Sequence, residues 1–431
     1  MRLMISFAAL FLSAVLLQLS SGGVGPLDAL SGLQEGFTKT QVGFLGSAHF
    51  LGFFIGCWWS PRLMGSVGHS RAFAVFTSLG AIGILSHMML VSPEAWAVMR
   101  IATGLCVAGC YTVIESWMQA KLTNKNRGKA MGAYRFIDMG GSLAAQMMIS
   151  ILTPAAYMSY NLLAILCCAS LLPLALTRSS PPETPKAPRL RPMMAVRLSP
   201  LAAAGVVVAG LTGASFRMVG PIYGLEVGLN ADQIALFLAS FVLGGALAQY
   251  PIGWLADKFD RRWVMVWLSI AAIAVSTGTI AIGSGNSSVV FAAAMLFGLT
   301  TFPIYSVATA HGNDFATPEQ MVELSASFMF LYAAGAIASP VMSSALLQRF
   351  GPSALFVFIA VAHVILVVFS VLRMRVRETV EDKTSYIYTP RTTFVLGRLI
   401  RRKRLPHEPL DTGADAGPDT GSDRPQDEKA P

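Results

Sequence analysis

Twelve runs of mostly apolar residues divide this 431-residue chain, each near the length of about 20 that carries a helix across a bilayer. They lie at 4–26, 41–61, 72–91, 95–118, 130–152, 156–176, 201–224, 233–256, 263–283, 289–312, 323–347 and 353–374. In hydrocarbon no water satisfies a backbone N–H or C=O, so each run must satisfy its own groups and become a helix. Composition agrees: 54% of the residues are hydrophobic and 13% charged, against roughly 25% charged in a soluble domain. That deficit excludes an ordinary soluble enzyme, a disordered chain and a collagen-like fibre. The expected fold class is an all-α membrane protein of 12 transmembrane helices. The first run follows Arg2 and ends near Ser20-Ser21-Gly22-Gly23, an outline similar to a cleavable signal. It continues beyond the usual apolar length of one and has a repeat partner mid-chain, so it reads as the first span.

Two stretches break the pattern. From Arg178 to Pro200 the chain carries Pro181, Pro182, Pro185, Pro188 and Pro192 among Lys186, Arg189, Arg191 and Arg197, a composition that cannot bury enough apolar area to order itself. After the twelfth run come Arg373, Arg375 and Arg377, the run Arg401 to Arg404, and a polar end rich in Asp and Gly. The expected organisation is a six-helix bundle over 1–177, a cytoplasmic linker over 178–200, a second six-helix bundle over 201–376, and a largely disordered cytoplasmic tail over 377–431.

The halves repeat. A shift of about 195 residues carries Val24 to Leu30 onto Val219 to Leu225, and nearly the same shift carries Gln41-Val42 onto Gln233-Ile234 and Leu51-Gly52 onto Leu243-Gly244. Gly104-Leu105 falls on Gly298-Leu299, Tyr111 on Tyr305, and Gly140 on Gly335. Six spans repeated in parallel about a polar linker is the arrangement of a carrier whose halves rock around a midplane site.

Lys and Arg placement sets the orientation. One set of loops holds Arg62, Arg71, Lys121, Lys125, Arg127, Lys129, the linker, Lys258, Arg261 and Arg262; the other has little beyond Lys39 and Arg349. Both termini and the linker are therefore expected on the cytoplasmic side of the membrane. Asp314, Glu319 and Glu323 in one loop depart from the trend. Topology also accounts for the net charge of +9, so no nucleic-acid partner is implied. Cys57, Cys106, Cys110, Cys167 and Cys168 sit in apolar runs without metal-ligand spacing and read as free, buried, small hydrophobes. Without a phosphate-binding G-x-x-x-x-G-K-[ST] loop or a G-x-S-x-G elbow, neither enzyme chemistry nor a cofactor is expected, and transport would be driven by a gradient.

Charges inside spans are costly and mark pathways. Arg100, Gly104, Val107, Tyr111, Ile114 and Met118 form one stripe of the fourth span, with Glu115 beside it. Arg100 either faces a cavity or snorkels to the nearer surface; Glu115 is a boundary residue or a partner of the following basic residues. Asp138 either pairs with Arg135 three residues away or is the titrating carboxylate of a proton-coupled site. Arg217 stands four residues before Pro221, where a helix break would free backbone groups, and either holds an anionic substrate or neutralises Glu226. His49, His87, His311 and His363 read as packed helix residues, with His311 the exception most suited to a site. Glycine pairs such as Gly140-Gly141 and Gly244-Gly245 suit close helix approach, and a bend is expected at Pro340.

Between the eighth and ninth spans the chain runs from Gln249 to Arg262 through Gly253, Leu255, Asp257, Lys258, Asp260, Arg261 and Arg262. This resembles the G-x-L-a-D-r-x-G-r-r loop of the major facilitator superfamily, with Asp260 in place of the second glycine. A carboxylate here can accept from a neighbouring helix N-terminus and pair with the arginines, making a conformational latch of Gly253, Asp257, Lys258, Arg261 and Arg262. The first-half copy keeps Gly68 but has Gly65 where the carboxylate belongs. Glu115-Ser116-Trp117, Asn126-Arg127-Gly128 and Gln249 to Gly253 are similar to the bacterial YcaD-like branch. The resemblance implies two pseudo-symmetric six-helix bundles and a monomeric, proton-coupled secondary transporter of a small organic solute, without naming that solute. Arg100, Asp138, Arg217, Glu115 and Tyr111 are the pathway candidates. Drug efflux by antiport, or a transport-inactive receptor that uses the basic tail, are the other readings.

Overall fold

The computed structural model describes residues 2–122, 127–177, 190–283, 285–317, 320–376, 384 and 386. The first half comprises α1 (Arg2–Gln34), α2 (Lys39–Val67), α3 (His69–Ser86), α4 (Pro93–Lys121), α5 (Arg127–Met147), a 3₁₀ turn (Met148–Ile151), α6 (Tyr157–Ala169) and α7 (Leu171–Ala175). A short α8 (Pro192–Leu198) precedes α9 (Pro200–Glu226), α10 (Ala231–Lys258), α11 (Arg261–Ile282), α12 (Ser287–Asn313), α13 (Met321–Phe350) and α14 (Ser353–Met374). Among the described residues, ten stretches, with α6 and α7 counted together, are long and apolar enough to cross a membrane; α3 and α5 complete twelve spans in two pseudo-symmetric bundles. The ends of α1, α4 and α9 near Gln34, Pro93 and Glu226 are termed the far end; the ends of α2, α8 and α10 at Val67, Pro192 and Lys258, the linker end.

The repeat has a physical basis. Gln41 and Gln233 are the third residues of α2 and α10, where each closes a capping box. Thr38 N–H donates to Gln41 Oε1 (2.8 Å) and Asn230 N–H to Gln233 Oε1 (3.0 Å), which satisfies helix-terminal donors. Gly52 and Gly104 lie where α2 crosses α4, and their counterparts Gly244 and Gly298 where α10 crosses α12. A Cβ on any of the four would run into a carbonyl of the facing helix: Ile101, His49, Met295 and Phe241 respectively. Such backbone approach gives close packing where lipid supplies no hydrophobic drive. Gly140, by contrast, has open space around it, whereas its chain neighbour Gly141 and its repeat counterpart Gly335 fit the expected packing role.

The halves meet along two seams, α2 against α13 and α5 against α10, with α1 against α9 between them. The repeat exchanges these seams, as a two-fold axis requires.

Several boundaries differ from expectation. Pro26 does not end the first span, because α1 runs on to Gln34. Proline deprives the carbonyl four residues earlier of its donor, and the amide of Gln146 reaches the freed Gly22 carbonyl (3.4 Å). Pro221 and Pro340 likewise lie inside continuous helices, so no break follows Arg217. The third span stops at Ser86, five residues early, where the Ser86 carbonyl turns to accept from Met89 and Leu90. The end of the linker is ordered as α8: Ala195 is buried, and Arg191 is tied to α13 through Ser327 (3.2 Å) and Glu323 (3.6 Å). The rest of the linker, Lys125, Glu319 and most of the tail lie outside the described residues. All five cysteines are free; Cys168 is exposed, and Cys57 is half-buried in a crevice between α2 and α13.

Candidate functional site

A chamber of about 1170 Å³, counting the part open to solvent, lies between the halves. Gln18, Gly22 and Pro26 of α1, His49 of α2, Tyr111 of α4, and Asp138 and Gln146 of α5 line one side; Arg217 and Met218 of α9, Phe302 of α12 and Tyr332 of α13 line the other. Tyr111 Oη donates to Asp138 Oδ1 (2.8 Å) and Gln18 Nε2 to the same oxygen (3.4 Å). Arg217 belongs to the opposite half and, among the described residues, has no ion pair or hydrogen bond. Three of the predicted pathway residues, Tyr111, Asp138 and Arg217, thus share one chamber, with the guanidinium uncommitted.

The offset that carries Tyr111 to Tyr305 carries Asp138 to Tyr332. The second half therefore holds a ring pair (Tyr305 and Tyr332, centroids 5.2 Å apart) where the first holds a phenol and a carboxylate. Symmetric scaffolding carries asymmetric chemistry.

The other predicted residues fall elsewhere. Arg100 does not line the chamber and does not snorkel, being 1% exposed. Its Nε lies 3.4 Å from Asp28 Oδ2, which also stands 3.3 Å from His87 Nε2, while Tyr160 Oη donates to Asp28 Oδ1 (2.9 Å). This cluster joins α1, α4, the end of α3 and α6. Sequence reading passed over Asp28 as a mark of the repeat, although a lone carboxylate in a span was signal enough. His87 stands beside Asp28 and His49 lines the chamber, whereas His311 packs on Phe315 near Asp260 and Arg262. Glu115 is buried rather than a boundary residue. It accepts from Tyr134 Oη (3.1 Å) and stands 3.9 Å from Arg135, one of the basic residues that follow it. Glu226 pairs with Lys39 (2.7 Å), not with Arg217.

The far end is closed across the halves. Besides Lys39 and Glu226, both Thr40 N–H and Thr40 Oγ1 donate to Gln348 Oε1 (3.0 and 2.8 Å). Gly43 abuts Ser344, and Gly46 abuts Met218 and Pro340. Towards the linker end, a crevice of about 1330 Å³ separates α5 from α10 and shares Met139 with the chamber.

At that end the loop between α10 and α11 is charged throughout. Asp260 takes Arg262 in two bonds (2.8 and 3.0 Å) and accepts from its N–H (3.0 Å). Burial raises the Asp260 carboxyl, but Arg262 outweighs it and holds the group below its usual value. Lys258 lies over Trp254. Arg261, 1% exposed, donates to Asp314 Oδ1 (2.7 Å) and the Ala310 carbonyl (2.9 Å), and more loosely to Asp257 (3.2 Å). Burial pushes the Asp314 carboxyl up, against Arg261 and Thr384. The predicted latch residue Asp257 is 39% exposed in its side chain, so the buried partner of Arg261 is Asp314, which sequence reading noted only as an exception to loop charge. Asp314→Asn is expected to destabilise the protein by about 3–5 kcal/mol, the cost of stranding a buried charge. Asp257→Asn should cost no more than about 1 kcal/mol, as for exposed pairs. Thermal unfolding of the two variants in detergent checks the order.

Comparison with known proteins follows the same lines. The profile described as Major Facilitator Superfamily matches twice, over residues 10–225 and 201–406. An "Uncharacterized MFS-type transporter YcaD" of Escherichia fergusonii is 27% identical over 348 residues, covering 80% of this chain and 90% of that one; its Escherichia coli counterpart gives the same figures. Among solved structures, the nucleoside transporter NupG aligns with TM-score 0.69 at 15% identity, over 87% of this chain and 100% of the other. A D-xylose-proton symporter aligns with TM-score 0.62 at 14% identity, over 90% and 98%.

Proposed function

We propose that this chain, which belongs to the Major Facilitator Superfamily, carries a small polar organic solute across the bacterial cytoplasmic membrane by alternating access, coupled to protons. The observation that carries this reading is the chamber between the halves, with a hydrogen-bonded carboxylate on one wall and an uncommitted guanidinium on the other. Arg217 offers a fixed positive charge to an anionic or strongly polar group. Asp138 offers a site where proton binding competes with the Tyr111 hydrogen bond. The bundles over 1–177 and 201–376 serve as the rocking units, and closure at Lys39, Thr40 and Gly43 against Glu226, Gln348 and Ser344 fits a state open towards the linker end. The apolar crevice between α5 and α10 favours a second reading, export of an apolar compound.

Thermal stabilisation of the purified protein across anionic metabolites, nucleosides, sugars and apolar drugs separates the readings. Stabilisation by polar solutes that Arg217→Gln abolishes supports the first; stabilisation by apolar compounds that survives it supports the second. In proteoliposomes, Asp138→Asn is expected to leave solute exchange in place and to abolish accumulation driven by a pH gradient; unchanged accumulation excludes Asp138 as the coupling group. Leu190→Cys, at the linker end, is expected to react with impermeant maleimide only in inside-out vesicles, as a cytoplasmic linker requires.

A further inference from the structure

Two described residues beyond α14, Thr384 and Tyr386, lie against the loop between α10 and α11. Thr384 is 1% exposed: its N–H and Oγ1 both donate to Asp314 Oδ1 (2.8 Å each), and Arg261 donates to its Oγ1 (3.1 Å) and to its carbonyl. Two residues on, Tyr386 N–H donates to Asp257 Oδ1 (2.8 Å) and Tyr386 Oη approaches Gln249 Oε1 (3.4 Å). The ring lies on Gly253, where a Cβ would stand 2.7 Å from it. Tyr386 thereby lines the crevice between α5 and α10, opposite Arg135, Phe136 and Met139. Thr384 completes the buried polar cluster that ties α11 to α12, and Tyr386 is a wedge in one of the two seams between the halves.

We propose that Thr384 and Tyr386 form an intramolecular strap that restrains the protein in its present arrangement, open towards the linker end. The restraint is steric and bonded at once. For the linker end to close, α5 must approach α10 across the volume the ring occupies, and the ring is held there by Asp257 and by Thr384 on Arg261 and Asp314. The strap is an autoinhibitory contact, and it gives Gly253 a second role, since only glycine leaves a floor for the ring. The idea rests on the carrier reading for its consequence, though not for its geometry.

The test therefore uses distance rather than flux. In full-length protein with Cys57→Ser and Cys168→Ser, spin labels at Gly132→Cys on α5 and Tyr250→Cys on α10 report the width of the crevice by pulsed dipolar spectroscopy. The strapped protein is expected to give one long distance. Tyr386→Ala should add a second, shorter population, and Gly253→Ala, which displaces the ring from the other side, should add the same one. Tyr386→Phe keeps the ring and should match the parent. An unchanged distribution in Tyr386→Ala, or one that only lengthens, overturns the strap. If the chain carries no solute at all, flux is nil in every variant while the distances still decide.

Discussion

Asp28→Asn is expected to cause the largest loss of stability of any single charge change in the first half. Asp28 accepts from Tyr160 and is the shared counter-charge beside Arg100 and His87, and the amide leaves the buried guanidinium, 1% exposed, without a counter-charge. Removing one partner of a buried pair costs about 3–5 kcal/mol, whereas replacing both by apolar groups is often neutral. Thermal unfolding should thus rank Asp28→Asn far below the parent and Asp28→Leu with Arg100→Met close to it. A double variant as unstable as the single one would mean that the cluster does more than balance its own charges. Because α1, α3, α4 and α6 converge on Asp28, the single variant should also yield less protein in the membrane, while the double variant recovers the yield.

A comparable loss is expected of Gly104→Leu, for a steric reason. The Cβ would enter the His49 carbonyl and crowd the Phe53 N–H of α2, so the helix must move rather than a side chain. Ordinary overpacking costs about 1–3 kcal/mol; a backbone that cannot yield should cost more. Gly298→Leu, against Phe241 of α10, should behave alike. Gly140→Ala is the control: with nothing around its Cβ, it should be neutral or gain roughly the 0.5–1 kcal/mol that alanine brings to a helix. Fluorescence-detected size-exclusion profiles on heating would read all three.

These positions also measure what a sequence reveals. Gly52, Gly104, Gly244 and Gly298 appear as repeat marks because the same contact is needed twice, so the reason for their identity is local to a helix pair and legible as pattern. Tyr111 and Asp138 were both legible as polar residues in apolar runs, and their hydrogen bond follows from α4 and α5 both packing on α1. Arg100 was legible as a buried charge but not in its partner. Asp28 lies 72 positions away in the chain, and nothing in a helical stripe says which neighbouring helix supplies the counter-charge. Asp314 was obscured in the same way, and Thr384 and Tyr386 were hidden within a tail whose composition resembles a disordered one.

The chain alone decided the class of solvent, the number of spans, their helical state and the duplication, because hydrocarbon allows one backbone solution and the repeat is written in residues. The packing of helix against helix decided everything paired: Arg100 with Asp28, Arg261 with Asp314, Glu226 with Lys39, and Asp138 facing Arg217 across a chamber. A buried charge requires a partner, but its own sequence neighbourhood cannot name one. That choice belongs to helices brought side by side from distant parts of the chain.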